Sequence, residues 1–428
     1  MDLSSLGVEI RDLAYDTRTV APGTLFFCVP GANADGHDLA GDAVARGAVA
    51  LVVERSLDVD VPQLVVPSVR AAMGPIAAEF FGRPSDELEV AGITGTNGKT
   101  TTAFLLHAIL RGALLTNIRR VVGGEERPTG LNTPEAIDLQ RLFREMLDAG
   151  DRTCVMEATS IASAKGRLAC TRFRVLVFTN LTQDHLDFHG SMEDYFAAKR
   201  ALFEQADTAV VNVADEWGRR LAAELSDAVT FTPGDELGAE LRLRGTFNRA
   251  NAAGAIAAAR VLGVADARIR AAVESVHGVP GRFETVEAGQ PFPVIVDYAH
   301  TPDSLENVLR AARELAERNL IVVFGAGGDR DRDKRPLMGR VAHDLADRAI
   351  VTTDNPRSED PQTIAEEVAD GRLEIVVDRR AAIAAALADA GEGDVVVIAG
   401  KGADTEMEVG GRFVPFDDRV VAREILTA

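Results

Sequence analysis

The chain has 428 residues, with 46 Lys and Arg against 66 Asp and Glu, which gives a formal net charge of −20. Such an acidic chain is a poor candidate for binding nucleic acid, which requires a basic face. No apolar run reaches the roughly 18 residues of a membrane span. Three cysteines without CxxC spacing argue against a disulfide framework or a Cys-based zinc site. We therefore expect a cytoplasmic protein without a secretory signal, and the length predicts two to four domains.

The first segment, residues 1–86, predicts a small α/β domain. It contains short apolar stretches (TLFFCVP, AVALVVE and PQLVVP) separated by Gly, Pro and Asp. The stretch FGRPSDE, residues 81–87, combines Gly, Pro, Ser and charge, which indicates a linker. We place the first domain boundary near Asp86.

The second segment, residues 87–284, begins with the apolar run LEVAGI, followed by a glycine-rich turn and a helical pattern. Further strand-like runs are FRVLVFTNL and TAVVNV, with helical stretches between them. Such alternation predicts a mostly parallel sheet covered on both faces. The stretch VPGRFE indicates a second boundary near Glu284.

The third segment, residues 285–428, contains the runs VIVDYAH, LIVVFGAGGDR, AIVTTDNPR and VVVIAGKG. Each β-branched run ends in polar residues or glycine, which is typical of functional loops at the carboxyl ends of parallel strands. The fold class that we predict is α/β, with three domains in a row.

The sequence TGTNGKTTT, residues 94–102, follows the LEVAGI strand and opens a helix. Glycines allow backbone N–H groups to converge on phosphate oxygens, and a helix N-terminus favours an anion. Lys99 would reach the β- and γ-phosphates, and the Thr100 hydroxyl would bind Mg²⁺. The match is a variant, because Gly92 lies one residue too far from Gly98 for the usual spacing. The alternative, a glycine-rich turn without a ligand, is less favoured in this context.

A cluster of acidic residues and histidines follows two further strands. Glu157 ends the strand of CVMEATS, and the segment NLTQDHLDFHGSMEDYFAAKR supplies Asp184, His185, Asp187, His189 and Lys199. A carboxylate and an imidazole from neighbouring strand ends could hold a second divalent cation. Each residue alone is a weak indication, and His189 could simply cap a helix.

These motifs occur in order with FNRANAAGA, VPGRFE, DYAHTPD and FGAGGDRDRDKRPLMG, and the ordered set resembles the Mur ligases. The resemblance covers nearly the whole chain. It implies a three-domain architecture with a central P-loop-type, mostly parallel sheet and a Rossmann-like C-terminal domain. It also implies an ATP-dependent amino-acid ligase of peptidoglycan synthesis, which works through an acyl phosphate. The resemblance also implies two Mg²⁺ sites. Their cations would neutralise the negative charge of the oxygens that come together in the transition state.

The resemblance assigns the nucleotide and metal residues. Lys199 matches a lysine that the family carboxylates to a carbamate, an anion able to bind metal, whereas the alternative is an ordinary surface lysine. The predicted catalytic residues are Lys99, Glu157, His185 and Lys199, and the predicted metal ligands are Thr100, Glu157, His185 and Lys199. The predicted ATP-binding residues are Gly95, Thr96, Asn97, Gly98, Lys99, Thr100, Thr101, Asn251, Arg282, Asp297 and His300. For Asp297 and His300, a strand-end hydrogen-bonded pair is the alternative.

The resemblance also assigns the sugar and peptide sites. The block DTRTVAPGTLFFCVPGANADGHD resembles the family's UDP-sugar-binding domain, with uridine contacts at Thr17, Ala32, Asn33 and Ala34. The muramyl-peptide positions are Asn132, Thr133, Thr159 and Arg167. Arg167 stands out, because a peptide carboxylate needs a fixed cation and guanidinium can bind it in a bidentate manner.

The incoming amino acid is predicted from DNPRSEDP, which resembles the motif of family members that add meso-diaminopimelate. This amino acid carries one more carboxylate than lysine, so its site should offer an arginine. The predicted residues are Arg330, Asp354, Asn355, Pro356, Arg357, Gly400 and Asp404. Two motifs depart from the family: G-K-G-A-D replaces the usual G-K-G-H-E, and Thr159-Ser160-Ile161 replaces S-S-H. DNPR could alternatively be a simple turn.

The function that the resemblance implies is the ATP-dependent addition of meso-diaminopimelate to UDP-N-acetylmuramoyl-L-alanyl-D-glutamate, by a monomer that binds small molecules only. Two alternatives stay open. One is the same chemistry with L-lysine or with a specialised cell-envelope or cofactor precursor. The other is a non-catalytic homologue that binds nucleotide-sugar.

Overall fold

The structure, a computed structural model, describes residues 3–31 and 34–428. The chain separates into two compact units. Unit 1 comprises Met1–Gly92, Gly112–Leu176 and Ala198–Asp207, and unit 2 comprises Ile93–Arg111, Val177–Ala197 and Thr208–Ala428. Within the described ranges, every helix is too short or too polar to cross a membrane. The domain boundaries near Asp86 and Glu284 stay a prediction.

The strands of the described chain are, in order, β1 Asp12–Ala14, β2 Thr24–Phe27, β3 Ala48–Val53, β4 Gln63–Val65, β5 Glu89–Thr94, β6 Ala113–Leu115, β7 Arg120–Val122, β8 Glu125–Arg127, β9 Thr153–Glu157, β10 Val175–Phe178, β11 Ala209–Asn212, β12 Val229–Phe231, β13 Glu284–Val286, β14 Val294–Asp297, β15 Leu320–Phe324, β16 Arg348–Val351, β17 Glu374–Ile375, β18 Val395–Ala399, β19 Glu406–Val409 and β20 Arg412–Pro415.

The α-helices are α1 Ala40–Ala45, α2 Val69–Phe80, α3 Lys99–Leu110, α4 Ala136–Asp148, α5 Ser160–Ala164, α6 Leu186–His189, α7 Met192–Arg200, α8 Glu216–Glu224, α9 Thr246–Val261, α10 Asp266–Ser275, α11 Pro302–Arg313, α12 Lys334–Leu345, α13 Pro361–Ala369, α14 Arg379–Asp389 and α15 Asp418–Leu426. Short 3-10 helices cover Leu3–Leu6, Thr17–Thr19, Gly36–Leu39, Pro84–Asp86 and Ala201–Gln205.

Unit 1 begins with a four-stranded parallel sheet in the order β1-β2-β3-β4. Its apolar side chains form one core against α2 and the start of α4, and a second core against α1 on the other face. The remaining strands of this unit run in the order β10-β5-β9-β6-β7-β8, in which β7 and β8 are antiparallel to their neighbours. The first residues of β5 and β10 belong to this unit.

Unit 2 holds the last residues of β5 and β10, in the strand order β12-β11-β10-β5, and packs α3 against α9. Its second sheet has the order β13-β14-β18-β15-β16-β17 and is parallel except for β13. One core of this sheet includes residues of α11, α12 and α13, and the core on the other face includes residues of α14 and α15. This doubly wound arrangement confirms the α/β prediction, including the Rossmann-like C-terminal sheet.

Polar side chains cap the first turns of four helices that pack on the second sheet of unit 2. Thr301 and Ser304 form a capping box at the start of α11, with Pro302 as its first residue. The carboxylates of Asp360, Asp378 and Asp417 accept backbone N–H groups at the starts of α13, α14 and α15. These caps hold the loops at the carboxyl ends of β14, β16 and β18, where the sequence predicts the site residues.

Candidate active site

The phosphate loop lies between the end of β5 and the start of α3, as the sequence predicts. Gly95 and Gly98 have φ values of +147° and +85°, which L side chains rarely adopt. A Cβ atom on Gly95 would lie 1.9 Å from the Thr179 hydroxyl, and one on Gly98 would lie 2.2 Å from Asn251 Oδ1. Both glycines are therefore needed for this loop conformation, and successive backbone N–H groups in such glycine-rich loops can bind an anion.

Hydrogen bonds from the residues after β10 hold the phosphate loop in place. The backbone N–H of Thr96 donates to the Asn180 carbonyl at 2.9 Å, and the N–H of Asn97 donates to Asn180 Oδ1 at 2.9 Å. The Thr179 hydroxyl donates to the Asn97 carbonyl at 2.7 Å. Sequence reasoning missed Thr179 and Asn180, although both lie in the quoted FRVLVFTNL run.

The ammonium group of Lys99 lies over the loop. Its Nζ donates to the carbonyls of Gly95 at 3.0 Å and Thr96 at 2.6 Å. This cation at the start of α3, next to backbone N–H groups, can attract and hold a polyphosphate. A lysine held by carbonyl groups can exchange them for phosphate oxygens, which are stronger acceptors.

The first turn of α3 buries Thr100 and Thr101. The Thr100 hydroxyl accepts a 3.0 Å hydrogen bond from Arg282 Nη2. The Arg282 guanidinium also lies over the Tyr298 ring, 4.1 Å from its centroid, which is a cation–π contact. Arg282 therefore reaches the phosphate loop from the segment just before β13.

Asn251 is buried on α9, and its Nδ2 donates to Asn248 Oδ1 at 2.9 Å. The close approach of Asn251 Oδ1 to Gly98 places this side chain beside the phosphate loop. Asn248, a neighbour in the same FNRANAA motif, was not singled out from the sequence.

Asp297 and His300 both lie at the end of β14 and make different contacts. The Asp297 carboxylate accepts the backbone N–H groups of Phe283 and Ala299, each at 2.7 Å, and burial raises its pKa. His300 Nδ1 donates to the Tyr298 carbonyl at 2.9 Å, which leaves Nε2 facing Asp184 Oδ2 at 3.7 Å. Asp297 thus fixes the backbone around the loop of Arg282, and His300 joins a buried ionic cluster.

Asp184, which the sequence analysis placed in the cluster of acidic residues and histidines but not among the predicted metal ligands, is the centre of this ionic cluster. Its carboxylate is 3.5 Å from His185 Nε2, 3.6 Å from Lys334 Nζ and 3.7 Å from His300. Burial alone would raise the pKa of Asp184, but His300 and Lys334 hold it well below its ordinary value. The cluster connects the DHLDFH segment with the loops after β14 and β15.

The predicted metal ligands are distributed over both units: Glu157 and Lys199 in unit 1, Thr100 and His185 in unit 2. Glu157 and Lys199 are each 1% exposed, so both side chains are withdrawn from bulk water. Carboxylate and hydroxyl oxygens suit Mg²⁺, which prefers hard oxygen donors. Among the described residues, no group of three or more His, Cys, Asp or Glu side chains is arranged to hold a metal. A carbamate on Lys199 would add one more anionic oxygen ligand.

In unit 1, three of the predicted muramyl-peptide residues lie together. The Thr133 hydroxyl donates to the Glu157 carbonyl at 2.9 Å and lies 3.2 Å from the Thr159 hydroxyl. Arg167 Nη1 donates to the Thr133 carbonyl at 3.3 Å, and Nη2 forms a 2.9 Å ion pair with Glu135. The Arg167 Nε is buried without a hydrogen-bond acceptor among the described residues.

The remaining sugar-site predictions fall in loops of unit 1. Thr17 opens a 3-10 helix after β1, and the Ala34 carbonyl accepts the Gly31 N–H at 2.9 Å. Asn132 is exposed. Ala32 and Asn33 lie outside the described residues. The structure therefore brings together Thr133, Thr159 and Arg167 of the predicted peptide residues.

The loops after β16 and β18 meet at Asp354 and Gly400. Asp354 is 7% exposed, and its Oδ2 has no hydrogen-bond donor among the described residues. A Cβ on Gly400 would lie 2.1 Å from that oxygen, so the two residues are in direct proximity. A buried carboxylate oxygen without a donor is costly in isolation, and it is suited to accept a hydrogen bond from a ligand ammonium group.

Arg357 is half-buried with a φ of +52° and is held by its surroundings. Its Nη1 donates to the Gly328 carbonyl at 2.7 Å, and its Nε lies 3.5 Å from a Glu408 carboxylate oxygen. Burial, and then the charge of Arg330, lower the pKa of Arg357. Arg330 is exposed in the loop after β15, whereas Arg357 is partly buried in the loop after β16. Two guanidinium groups near each other can bind a carboxylate.

The hairpin β19–β20 supports this loop. Asn355 Oδ1 accepts the Glu408 N–H at 3.0 Å, and the Arg357 N–H donates to the Glu408 carbonyl at 3.0 Å. Pro356 is buried between them. The DNPR segment is thus held by the neighbouring hairpin, and Arg357 pairs with Val409 in a parallel β-bridge.

Asp404, the shorter residue of G-K-G-A-D, is partly buried. Burial raises its pKa, and the Lys401 ammonium opposes that shift. Lys401 is fully buried and donates to the Glu406 carbonyl at 2.5 Å. The side chain of Glu406 is exposed.

Known proteins match the chain over almost its full length. Three family models match: "Mur ligase family, catalytic domain" over residues 9–81, "Mur ligase middle domain" over residues 93–231 and "Mur ligase, glutamate ligase domain" over residues 281–402. The UDP-N-acetylmuramoyl-L-alanyl-D-glutamate–2,6-diaminopimelate ligase of Geobacillus thermodenitrificans is 44% identical, across 97% of this chain and 94% of that protein. The ligase of the same name from Bacillus cereus is 41% identical, across 98% of this chain and 94% of that protein.

Solved structures of related ligases are also similar to this chain. A structure of a UDP-N-acetylmuramoyl-L-alanyl-D-glutamate–2,6-diaminopimelate ligase is 30% identical and covers 97% of this chain and 94% of its own, with a TM-score of 0.66. The MurF ligase of Thermotoga maritima, in complex with ADP, is 20% identical with a TM-score of 0.69 and covers 97% of both chains. The latter similarity concerns the fold alone.

Proposed function

Because this chain belongs to the Mur ligase family, we propose that it is an ATP-dependent ligase that adds meso-diaminopimelate to UDP-N-acetylmuramoyl-L-alanyl-D-glutamate. The observation that carries the choice of amino acid is the loop after β16. There, a buried Asp354 oxygen that no described residue donates to and the Arg357 guanidinium offer an acceptor and a cation on one loop. An amino acid with an ammonium group and a distal carboxylate matches both.

The phosphate loop is proposed to bind ATP. Lys99 would leave the carbonyls of Gly95 and Thr96 and bind the phosphates, while the backbone N–H groups of the loop hold them in place. The γ-phosphoryl group then passes to the terminal carboxylate of the muramoyl dipeptide, and ADP is left. The amine of the incoming amino acid attacks the acyl phosphate, an amide forms, and inorganic phosphate leaves with the bonding pair of its C–O bond.

Arg282 is proposed to act on the nucleotide from the segment before β13. It already bonds the Thr100 hydroxyl and lies against Tyr298, so its charge is held at the phosphate loop. A fixed guanidinium at this point neutralises charge that accumulates on the transferring phosphoryl group. Asp297 assists indirectly, since it binds the backbone N–H of Phe283, the residue after Arg282.

Thr100, Glu157, His185 and Lys199 are proposed to hold Mg²⁺, at two sites. When bound, the ions would offset negative charge on the phosphate and carboxylate oxygens. The proposed carbamate rests on the match of Lys199 to the lysine that the family carboxylates, and the Lys199 side chain is only 1% exposed. Attack of the neutral Lys199 amine on carbon dioxide, with loss of one proton, gives the carbamate.

Arg167 is proposed to bind a carboxylate of the peptide. In the structure it pairs with Glu135, and its Nε lacks an acceptor among the described residues. A substrate carboxylate could bind that nitrogen or replace Glu135. Thr133 and Thr159, whose hydroxyls lie 3.2 Å apart, would hydrogen-bond the peptide together with Asn132. Thr17, Ala32, Asn33 and Ala34 stay proposed contacts of the uridine. We also propose that the enzyme is a monomer and that it works in the cytoplasm, where ATP is available.

Phosphate release from ATP tests the proposed function. The full chain is expected to release phosphate only when ATP, the muramoyl dipeptide and meso-diaminopimelate are all present. Release that needs only L-lysine or another amino acid would assign the same chemistry to a different substrate, an outcome that the G-K-G-A-D departure makes worth measuring. No release with any amino acid, despite nucleotide-sugar binding, would favour a non-catalytic homologue.

A further inference from the structure

Arg379 is an arginine with almost no access to solvent. Its side chain is 1% exposed, and that of its partner Asp418 is 0% exposed. Nε and Nη2 bond the two carboxylate oxygens at 2.8 Å and 2.7 Å, which is a bidentate pair. Arginine and aspartate are almost never fully buried unless they are paired in this way.

Stability alone does not account for this pair. Arg379 is the first residue of α14, where a cation is unfavourable because of the helix dipole. A buried ion pair is often no more stabilising than apolar side chains of similar volume. The guanidinium therefore calls for a role that an apolar residue could not fill.

The remaining donors of Arg379 bind two loops that carry proposed substrate residues. Nη1 donates to the Thr353 carbonyl at 3.0 Å, and Nη2 also donates to the Ala399 carbonyl at 2.9 Å. Thr353 directly precedes Asp354, and Ala399 directly precedes Gly400. Each carbonyl thus belongs to the peptide unit that leads into a site residue.

The two carbonyls come from strands that are not paired. The sheet order is β14-β18-β15-β16, so β15 separates the strand that ends at Ala399 from the strand that precedes Thr353. Backbone hydrogen bonds between neighbouring strands do not join these two ends directly. The Arg379 guanidinium connects them by hydrogen bonds to both carbonyls. Burial alone would lower the pKa of Arg379, but the charges of Asp418 and Asp354 raise it.

We propose that Arg379 is a positioning residue for the incoming amino acid, holding the Asp354 carboxylate and the Gly400 backbone at the separation that its ammonium group requires. The inference rests on the proposed function, because it takes Asp354 and Gly400 as the amino-acid site. Arg379 itself stays beneath the site and does not touch substrate. Without its guanidinium, the loops after β16 and β18 lose their common anchor.

The test separates positioning from folding by means of matched variants of the full chain. The double substitution Arg379→Met with Asp418→Leu removes both buried charges together, which preserves folding better than removing one. Arg379→Lys keeps the charge but lacks the planar fork that reaches both carbonyls. Arg348→Met is the control, since Arg348 lies at the start of β16, away from these loops, and pairs with Glu374 and Asp389.

Steady-state phosphate release and thermal melting are measured for each variant. In the double variant and in Arg379→Lys, the KM for meso-diaminopimelate should rise by roughly tenfold or more, the cost of losing hydrogen bonds from a charged donor. The KM for ATP should stay within about twofold, because the phosphate loop is unaltered. Arg348→Met should change neither constant.

An unchanged KM for meso-diaminopimelate in either folded variant, or an equal rise in the KM for ATP, overturns the positioning role. If the unaltered enzyme releases no phosphate in response to meso-diaminopimelate, the proposed function fails and the inference fails with it. A normal response of the unaltered enzyme, combined with unaffected variants, contradicts the positioning role alone.

Discussion

Asn97 of the phosphate loop donates a hydrogen bond from Nδ2 to Asp303 Oδ2 at 2.7 Å. Asp303 is the second residue of α11, so a loop proposed to bind ATP is bonded directly to a helix of the sheet that carries the amino-acid loops. Gln183 and Asp331 form a second such bond at 3.2 Å. Side-chain hydrogen bonds therefore join the region of the proposed nucleotide site to the sheet of unit 2 that carries the proposed amino-acid site.

Asp303→Ala should weaken ATP binding although Asp303 is not in the phosphate loop. Loss of its carboxylate leaves Asn97 Nδ2 without this acceptor, so the loop is less well fixed, and the KM for ATP should rise by roughly tenfold. Glu306→Ala, on the same helix, removes a carboxylate that binds Arg310 instead and serves as the control. Equal KM values for ATP in both variants would show that the bond to Asn97 has no part in nucleotide binding.

Arg357→Ala should reduce affinity for meso-diaminopimelate far more than affinity for ATP. A site that has lost the cation for a substrate carboxylate can lose discrimination by roughly a hundredfold or more. Arg357→Lys should recover little, because the fork that binds Gly328 and faces Glu408 is replaced by a single nitrogen. The measurement is the KM for each substrate, and an unchanged KM for meso-diaminopimelate would remove Arg357 from the site.

Lys199→Ala should abolish turnover if its carbamate is a metal ligand. Added acetate or formate should restore part of the activity, since a small carboxylate can occupy the place of the carbamate. Lys199→Arg offers a matched control that keeps a cation but cannot be carboxylated in this way. Failure of rescue, together with no carbamate carbon signal after growth with isotopically labelled bicarbonate, would contradict the modification.

Glu359 should make the stability of unit 2 sensitive to acid. The hydrogen bond from Arg335 lowers the pKa of Glu359 from 4.5 to about 2 in the folded protein. Ionised Glu359 therefore stabilises the fold above pH 4.5, and this contribution is lost as the pH falls from 4.5 through about 2. Melting temperatures of Glu359→Gln and the unaltered protein should differ at neutral pH and converge in acid.

Glu374→Gln is the control for that comparison, because Glu374 binds the more exposed Arg348 at the start of β16. Its melting temperature should differ less from that of the unaltered protein at neutral pH. A Glu359→Gln difference that persists unchanged in acid would mean that the ionised carboxylate is not the source of the stabilisation.

The sequence predicted those parts of the fold and site that depend on local pattern. β-branched runs ending in glycine or polar residues correctly indicated β5, β14, β15, β16 and β18, since such runs become buried parallel strands. The phosphate loop was also predictable from a local pattern, its glycines. Gly95 and Gly98 occupy backbone conformations that other residues avoid.

Long-range polar contacts could not be predicted in this way. The bond between Asn97 and Asp303 joins residues 206 positions apart, and nothing local in either segment specifies the pairing. The burial of Arg379 was equally hidden, because DRRAAI is typical of an exposed helix start with basic side chains. Asp184 was visible as part of a cluster, but only the packing of Lys334 and His300 shows that it is the cluster's centre.

The most direct test of the central claim is the ratio of kcat/KM for meso-diaminopimelate to that for L-lysine, measured as phosphate release by the unaltered enzyme with saturating ATP and muramoyl dipeptide. The account predicts a ratio of roughly a hundred or more, because only the diamino diacid supplies the carboxylate that Arg357 is proposed to bind. A ratio near one, or a preference for L-lysine, would contradict it.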